Sequence, residues 1–132
     1  MINPSLFLRR AIQADALVSG AMALLLVFGA DLLAPLLNLP EAFMRNTGFI
    51  LVVYAALVGL LGTRSVMSRA AVWTVIAVNA VWTIDSLILL ASGWVSPNLL
   101  GQIFVVMQAI VVGVFAELQF VGLRKSASAV AA

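Results

Sequence analysis

The amino-acid sequence predicts an all-α fold, a four-helix transmembrane bundle with short loops, and three observations lead to this prediction. Hydrophobic residues make up 64% of the 132 residues and charged residues 9%, whereas an ordinary soluble domain is about 25% charged. Four long apolar segments alternate with shorter polar or proline-containing ones. The charged residues stand mostly at the ends of these segments. A soluble chain of this length could not cover so much apolar surface, so residues 1–132 are predicted to form one integral membrane domain.

The first two apolar segments are separated by a stretch that contains two prolines. The first helix is predicted over about 11–30, and no small-residue cleavage site follows it, so a retained helix is favoured over a cleaved signal peptide. Pro35 and Pro40 predict that residues 31–40 leave this helix as an apolar outer turn or short helix. Glu41 favours the first turn of the next helix, whose membrane span is predicted over about 46–63.

The last two segments have clearer boundary signals. The third helix is predicted over about 70–92, with Ser68 as its N-cap and Gly93 as the residue that ends it. The fourth helix is predicted over about 99–123 and is followed by Arg124 and Lys125. The tail at 126–132 consists of small residues with nothing to bury, and we expect it to be mobile.

The distribution of cations predicts the orientation of the chain. Of the seven cations, only Arg45 falls on one side of the predicted membrane, and the other six fall on the opposite side. Because cytoplasmic loops carry the excess of Lys and Arg, both termini are predicted to be cytoplasmic, in a bacterial cytoplasmic (inner) membrane. The cations on the cytoplasmic side are Arg9, Arg10, Arg64, Arg69, Arg124 and Lys125.

Polar residues within the predicted spans fall at matching depths when a rise of about 1.5 Å per residue is applied. Tyr54 and Asn79 share a layer near the midplane, and Asp85 and Gln108 share one nearer the outer side, with Trp82 one turn from Asp85. An ionisable residue at this depth by default faces protein or a water-filled cavity. Hydrogen bonding within each layer explains these residues structurally, and a proton relay or substrate contact explains them functionally. These five residues form the candidate intramembrane polar site.

Charged residues nearer the ends of the spans have a simpler interpretation. Asp15 and Glu117 share the layer closest to the cytoplasm, and Asp31 lies with Arg45 at the outer rim. We expect Asp31 and Arg45 to form a salt bridge or a cap at the rim. We expect the other two acids to form interfacial ion pairs with the nearby arginines of the helix ends, namely Arg9, Arg10 and Arg124.

Small residues recur on one face of the second and fourth helices, at spacings that let a neighbouring backbone come close. Such stripes either bind partner helices or pack within the bundle, and the sequence leaves both alternatives open. The candidate interface consists of Ala55, Gly59, Thr63, Ala109 and Gly113.

Several classes of activity find no support in the sequence. The chain has no Cys and no His, which excludes disulfides, thiol chemistry and imidazole catalysis. It shows no nucleophile–base pair, no nucleotide-binding glycine pattern and no cluster of metal ligands. We therefore expect a non-enzymatic protein without a cofactor or metal. A net charge of +2 does not indicate nucleic-acid binding.

Three functional hypotheses remain, and all have the lipid bilayer as a partner. The first is a small membrane protein that acts by helix association, as a homo-oligomer or as a subunit of a larger membrane complex. The second is a small proton-coupled transporter or channel centred on Asp85. The third is a lipid-binding protein that uses the apolar outer segment Leu32 to Leu39 as a lip facing lipid.

Overall fold

The computed structural model describes residues 1–128 as four helices and two short strands. The helices are long and apolar enough to cross a membrane, which confirms the all-α prediction of four such helices and indicates an integral membrane protein. The two strands pair antiparallel beside the helix ends. In chain order the elements are β1 (Ile2–Asn3), α1 (Leu6–Leu37), α2 (Glu41–Thr63), α3 (Arg69–Ser92), α4 (Leu99–Arg124) and β2 (Ala127–Ser128).

Local sequence signals account for most helix ends. The Ser68 hydroxyl accepts the backbone N–H of Ala71 at 3.2 Å and so caps α3, as predicted. Gly93 ends the same helix with a φ of 76°, a left-handed conformation that favours glycine. Ser5 caps α1 through the N–H of Leu8, at 3.1 Å. The N-termini of α1 and α3 therefore follow from hydroxyl side chains that accept free backbone N–H groups, and the C-terminus of α3 follows from the conformational freedom of glycine.

The prediction that the first helix ends near residue 30 is wrong, because α1 continues through Pro35 to Leu37. The break between the first two helices is therefore shorter than the predicted 31–40. Pro35 lies in the last turn and lacks the N–H that would bond to the carbonyl of Asp31, and α1 continues for only two residues beyond it. Asn38 then ends the helix with a φ of 56°, and its N–H bonds to the carbonyl of Ala34. With 32 residues, α1 is about 48 Å long and extends beyond a hydrocarbon core of about 30 Å.

The loop before α4 completes the outer end of α1. Asn98 caps α4 by accepting the N–H of Gly101 at 2.8 Å. Its Nδ2 also donates to the carbonyl of Leu36 at 2.8 Å, and its backbone N–H donates to the carbonyl of Leu37 at 3.2 Å. In the opposite direction, Nδ2 of Asn38 at the end of α1 donates to the carbonyl of Ser96 in the loop at 2.6 Å. Terminal carbonyls of α1 therefore find partners in another part of the chain, which stabilises the proline-containing turn.

The opposite end of the bundle is closed by residues near the N-terminus and by the residues that follow α4. Ile2 is fully buried and exchanges backbone hydrogen bonds with Met67, at 2.8 and 2.9 Å. The Ser126 hydroxyl donates to the carbonyl of Gly122 at 2.8 Å and accepts the N–H of Ser5 at 2.9 Å. The expectation of a mobile tail from 126 is therefore wrong for 126–128, where backbone and hydroxyl groups have partners. The rest of that expectation, 129–132, lies outside the described residues.

The helices pack in the order α2, α1, α4, α3. α1 packs against α2 and α4, and α4 packs against α3. Glycines let α1 come close to both neighbours: a Cβ atom at Gly122 would lie 2.7 Å from the Cα of Leu8, and one at Gly48 would lie 2.9 Å from the Cβ of Leu26. α2 and α3 follow each other in the chain but are not a packed pair. The bundle is consequently open between them.

The small residues of the candidate interface mostly face helices of the same chain. On α2, a Cβ at Gly59 would lie 3.9 Å from the Cβ of Ala16 of α1, and a Cβ at Gly20 of α1 would lie 3.9 Å from the Cβ of Ala55. Thr63 differs, since it is exposed and its hydroxyl bonds to the carbonyl of its own helix at Leu60.

The stripe on α4 faces α3. A Cβ at Gly113 would lie 3.5 Å from the side chain of Thr83. Ala109 is buried, and its carbonyl accepts the hydroxyl of Thr83 at 3.2 Å. These residues therefore pack within the bundle, and their association with partner helices stays a prediction.

Candidate functional site

A buried carboxyl group lies at the meeting point of all four helices. Asp15 of α1 is 1% exposed. Its Oδ1 accepts the hydroxyl of Ser19, one turn further along α1, at 2.9 Å. Its Oδ2 is reached by Tyr54 of α2 at 2.8 Å, Asn79 of α3 at 2.9 Å and Gln119 of α4 at 2.8 Å. These five residues are the Asp15 cluster.

The partners of Asp15 also bond to one another. The amide of Asn79 donates to Oε1 of Gln119 at 3.0 Å, and the hydroxyl of Tyr54 reaches Oδ1 of Asn79 at 2.9 Å. Tyr54 carries one hydroxyl proton, so it donates to one of its two neighbouring oxygens at a time unless the carboxyl group of Asp15 supplies a second proton. Asn79 and Gln119 are 3% and 0% exposed. Their amide groups find all their partners inside the cluster, which joins the four helices through side chains.

The Asp15 cluster confirms one sequence-based pairing and overturns another. Tyr54 and Asn79 are hydrogen-bonded, as their equal depth predicts. The expected interfacial ion pair of Asp15 is wrong, because four uncharged donors surround the carboxyl group. Arg9 instead donates to the carbonyls of Gly62 and Arg64, both at 2.7 Å. Glu117, expected at the same depth as Asp15, is on the exposed side of α4.

Sequence reasoning missed Gln119 and Ser19. Gln119 belongs to the buried stripe of α4, in which Val105, Ala109, Ala116 and Leu123 recur at spacings of three, four or seven residues. A polar residue that continues such a stripe points into the bundle. This periodicity is the signal that identifies Gln119. Ser19 lies one turn after Asp15, a spacing at which two helical side chains can meet.

A second set of hydrogen bonds links α3 to α4. The indole N–H of Trp82 donates to Oε1 of Gln108 at 2.8 Å. Nε2 of Gln108 donates to the hydroxyl of Ser86 at 3.0 Å and to the carbonyl of Val105 at 2.8 Å. The Ser86 hydroxyl donates to the carbonyl of Trp82 at 2.7 Å. We call Trp82, Ser86 and Gln108 the Trp82 cluster.

The expected pairing of Asp85 with Gln108 is wrong, because the amide of Gln108 is occupied by Trp82 and Ser86. Asp85 precedes Ser86 by one position, which turns its side chain by about 100° around the helix. It is exposed, and within residues 1–128 it makes no hydrogen bond or ion pair. The candidate polar site is thus divided between two clusters, with Asp85 outside both of them.

The predicted rim salt bridge also has a different partner. Arg45 bonds to Glu41, one turn earlier on α2, at 2.8 Å. Both side chains are exposed, a setting in which an ion pair adds little to stability. The carboxyl group of Asp31 accepts the N–H of Leu32 at 3.0 Å.

A cavity of about 400 Å³ opens between α2 and α3, a volume within the range of about 300–1,000 Å³ found for ligand sites. We call it the inner cavity. Both polar clusters reach its wall, one through Ser19, Tyr54 and Asn79 and the other through Trp82, Ser86 and Gln108. The rest of the wall is mainly apolar and includes Met22, Leu26, Phe43, Leu51, Phe104 and Phe115.

A shallower groove adjoins the inner cavity on its outward side. This outer groove has a volume of about 490 Å³. It shares Phe43, Val78 and Trp82 with the inner cavity and adds Asp85 and Val81. Asp85, whose carboxyl group has no partner within residues 1–128, therefore lines the groove that adjoins the apolar cavity, and we call this groove the mouth of the cavity.

Replacing Asp15 by leucine should lower the free energy of unfolding by about 2–3 kcal/mol, because three buried donors lose a common acceptor. Asp15→Asn should retain most of the stability, since its amide oxygen can accept the same donors and its NH₂ can donate to Ser19. The measurement is reversible unfolding in mixed micelles.

Asp85→Leu is the matched control, because it removes the same group from a position with no partner among residues 1–128. It should leave the unfolding free energy unchanged or raise it. Equal losses for the two leucine variants would contradict the assignment of Asp15 as the group that joins the helices.

Comparisons with protein-family models, with curated proteins and with solved structures find no match for this chain. The geometry of the two polar clusters and the adjoining cavities is therefore the basis for the functional proposal.

Proposed function

We propose that this chain is an integral protein of a bacterial cytoplasmic membrane, with both termini in the cytoplasm, and that it binds the hydrocarbon chain of a lipid between α2 and α3. The observation that carries the proposal is the inner cavity, an apolar space between two helices that do not pack against each other. The six-to-one distribution of cations supports the orientation.

The chemistry of the wall favours an apolar occupant. The polar side chains that reach the inner cavity already bond to one another in the Asp15 and Trp82 clusters. Within residues 1–128, no buried side-chain nitrogen or oxygen lacks a hydrogen-bond partner. A buried water needs about two to four polar partners, and this wall leaves few free. Hydrocarbon fills such a space at lower cost than ordered water does.

The position of the opening favours an occupant that comes from the bilayer. The helix faces beside it expose large apolar side chains, such as Ile50 and Val53 on α2 and Val81 on α3, which are 61%, 60% and 55% exposed. In a membrane these surfaces contact lipid. A lipid chain can then move sideways into the cavity without crossing water. The outer segment contributes Leu39 to the cavity wall, whereas Leu32 and Leu36 are exposed.

The geometry gives less support to the other two hypotheses. Association with a second copy or another protein through the small-residue stripes would compete with the contacts that these residues make inside the chain. An oligomer would therefore need other surfaces. Transport centred on Asp85 requires a continuous polar route, whereas the polar side chains of the Trp82 cluster bond to one another and the rest of the cavity wall is mainly apolar. Both hypotheses stay predictions that oligomer and flux measurements can test.

The orientation can be tested by cysteine labelling, with no background because the chain has no Cys. Ser65 and Ser96 lie in exposed loops at opposite ends of the bundle. In intact cells an impermeant thiol reagent should label Ser96→Cys and leave Ser65→Cys unlabelled until the membrane is opened. Labelling of Ser65→Cys alone would reverse the proposed orientation.

Ligand binding can be tested by filling the inner cavity. Val112 of α4 lines the cavity, so Val112→Phe should displace its occupant. Native mass spectrometry of the protein extracted from membranes should show one tightly retained lipid molecule per wild-type chain. The fraction that retains it should fall at least about tenfold in Val112→Phe, a loss equivalent to about 1.4 kcal/mol.

Val114→Phe is the control, because Val114 is 45% exposed and lies on the same helix outside the cavity. It should retain the lipid as the wild type does. Equal retention by both phenylalanine variants would contradict lipid binding in the inner cavity.

A further inference from the structure

We infer that the ligand of the inner cavity is a cationic amphiphile, and that Asp85 binds its positively charged head group at the mouth. This inference rests on the proposed function and adds to it the chemical class of the ligand. The observation behind it is that the carboxyl group of Asp85, on the long apolar helix α3, has no partner within residues 1–128.

Asp85 lies too deep to be an ordinary interfacial acid. It precedes Ser92, the last residue of α3, by seven positions, which places it about 10 Å along the helix from that end. Side chains around it are apolar and face outward: Val81, Ile84 and Ile88 are each more than half exposed. Acids at such positions pair with another group and mark a binding site or pathway.

The chain itself supplies no cation for this pairing. α3 contains no cation after Arg69, at its opposite end. Arg45, the only cation near the outer end of the bundle, is bonded to Glu41. The remaining cations belong to the other end of the bundle. Because no cation pairs with Asp85 within residues 1–128, the counter-charge in this inference comes from a different molecule.

The outer groove around Asp85 has the composition expected for binding an organic cation. Trp82 and Phe43 line the groove together with Asp85, and aromatic faces attract ammonium groups electrostatically. Both aromatic residues also line the inner cavity. Because the groove and the cavity adjoin at these residues, a molecule with its charged head group beside Asp85 can place its hydrocarbon chain in the inner cavity. This arrangement fits a long-chain ammonium compound.

The test uses two probes with the same chain, hexadecyltrimethylammonium and hexadecanol, added to the full-length protein in nanodiscs. Trp73→Phe and Trp94→Phe leave Trp82 as the only tryptophan, so its emission reports binding at the groove. The ammonium probe should bind at least about tenfold more tightly than the alcohol. Asp85→Asn should abolish this preference while leaving the alcohol's affinity unchanged, and Asp85→Glu should restore it.

Glu117→Gln is the matched control, because Glu117 is also an exposed acid within a helix but lies outside both cavities. It should keep the preference for the ammonium probe. Comparing variants in identical nanodiscs cancels the tendency of each probe to enter the bilayer.

Among the variants, the inference would be overturned by an equal preference in Asp85→Asn, by loss of the preference in Glu117→Gln, or by a change of oligomeric state in Asp85→Asn in place of a change in preference. The last result would assign Asp85 to a partner protein. Retention of a lipid by the wild type, together with no preference for the cation, would reject this inference alone. Loss of both would reject the proposed function as well.

Discussion

The carboxyl group of Asp15 accepts hydrogen bonds from its own helix and from each of the other three, and the rest of the bundle depends on this arrangement. It lies between two apolar cores, one around Ile12, Val75 and Leu123 and the other around Leu26 and Val105. Apolar packing alone tolerates sliding of one helix along another in lipid, because lipid tails are as apolar as the side chains. Where the helices share a polar acceptor, such sliding costs much more free energy, because a displaced amide group in hydrocarbon lacks a hydrogen-bond partner. The Asp15 cluster therefore sets the relative heights of the helices.

The same cluster explains how the bundle can stay open on one side. α2 and α3 each reach Asp15 through one side chain, Tyr54 and Asn79, and each packs along a different helix. Close contacts at Gly48 and Gly122 hold α1 against α2 and α4, while the Trp82 cluster holds α3 to α4. Both helices are thus held mainly through α1, α4 and the Asp15 cluster, without close backbone packing between them. The space that remains is apolar inside and carries an acid at its mouth, which is the chemistry proposed for a cationic amphiphile.

The sequence was sufficient to predict features that depend on local chemistry or on depth. The four helices, the Ser68 cap and the end at Gly93 follow from composition and capping residues, and the Tyr54–Asn79 bond follows from equal depth. Rotation about each helix axis was not predictable from depth alone. For this reason Asp15 was expected to pair with arginines, although it points into the bundle. Asp85 was likewise expected to pair with Gln108, although it points outward and its neighbour Ser86 bonds to Gln108. The path of α1 through Pro35 depended on hydrogen bonds from Asn98, which is 63 positions further along the chain and which no local signal connects to it.

The most direct test of a lipid chain in the inner cavity uses two buried methionines, Met44 and Met67, which are 2% and 0% exposed. Met44 lines the inner cavity, whereas Met67 packs beside Ile2 at the closed end. With ¹³C-labelled methionine methyl groups in nanodiscs, magnetisation transfer from lipid-chain protons should reach Met44 and not Met67. Neither methyl group is accessible from the outer surface, so transfer to Met44 requires a chain inside the cavity. No transfer to either methionine would contradict the account.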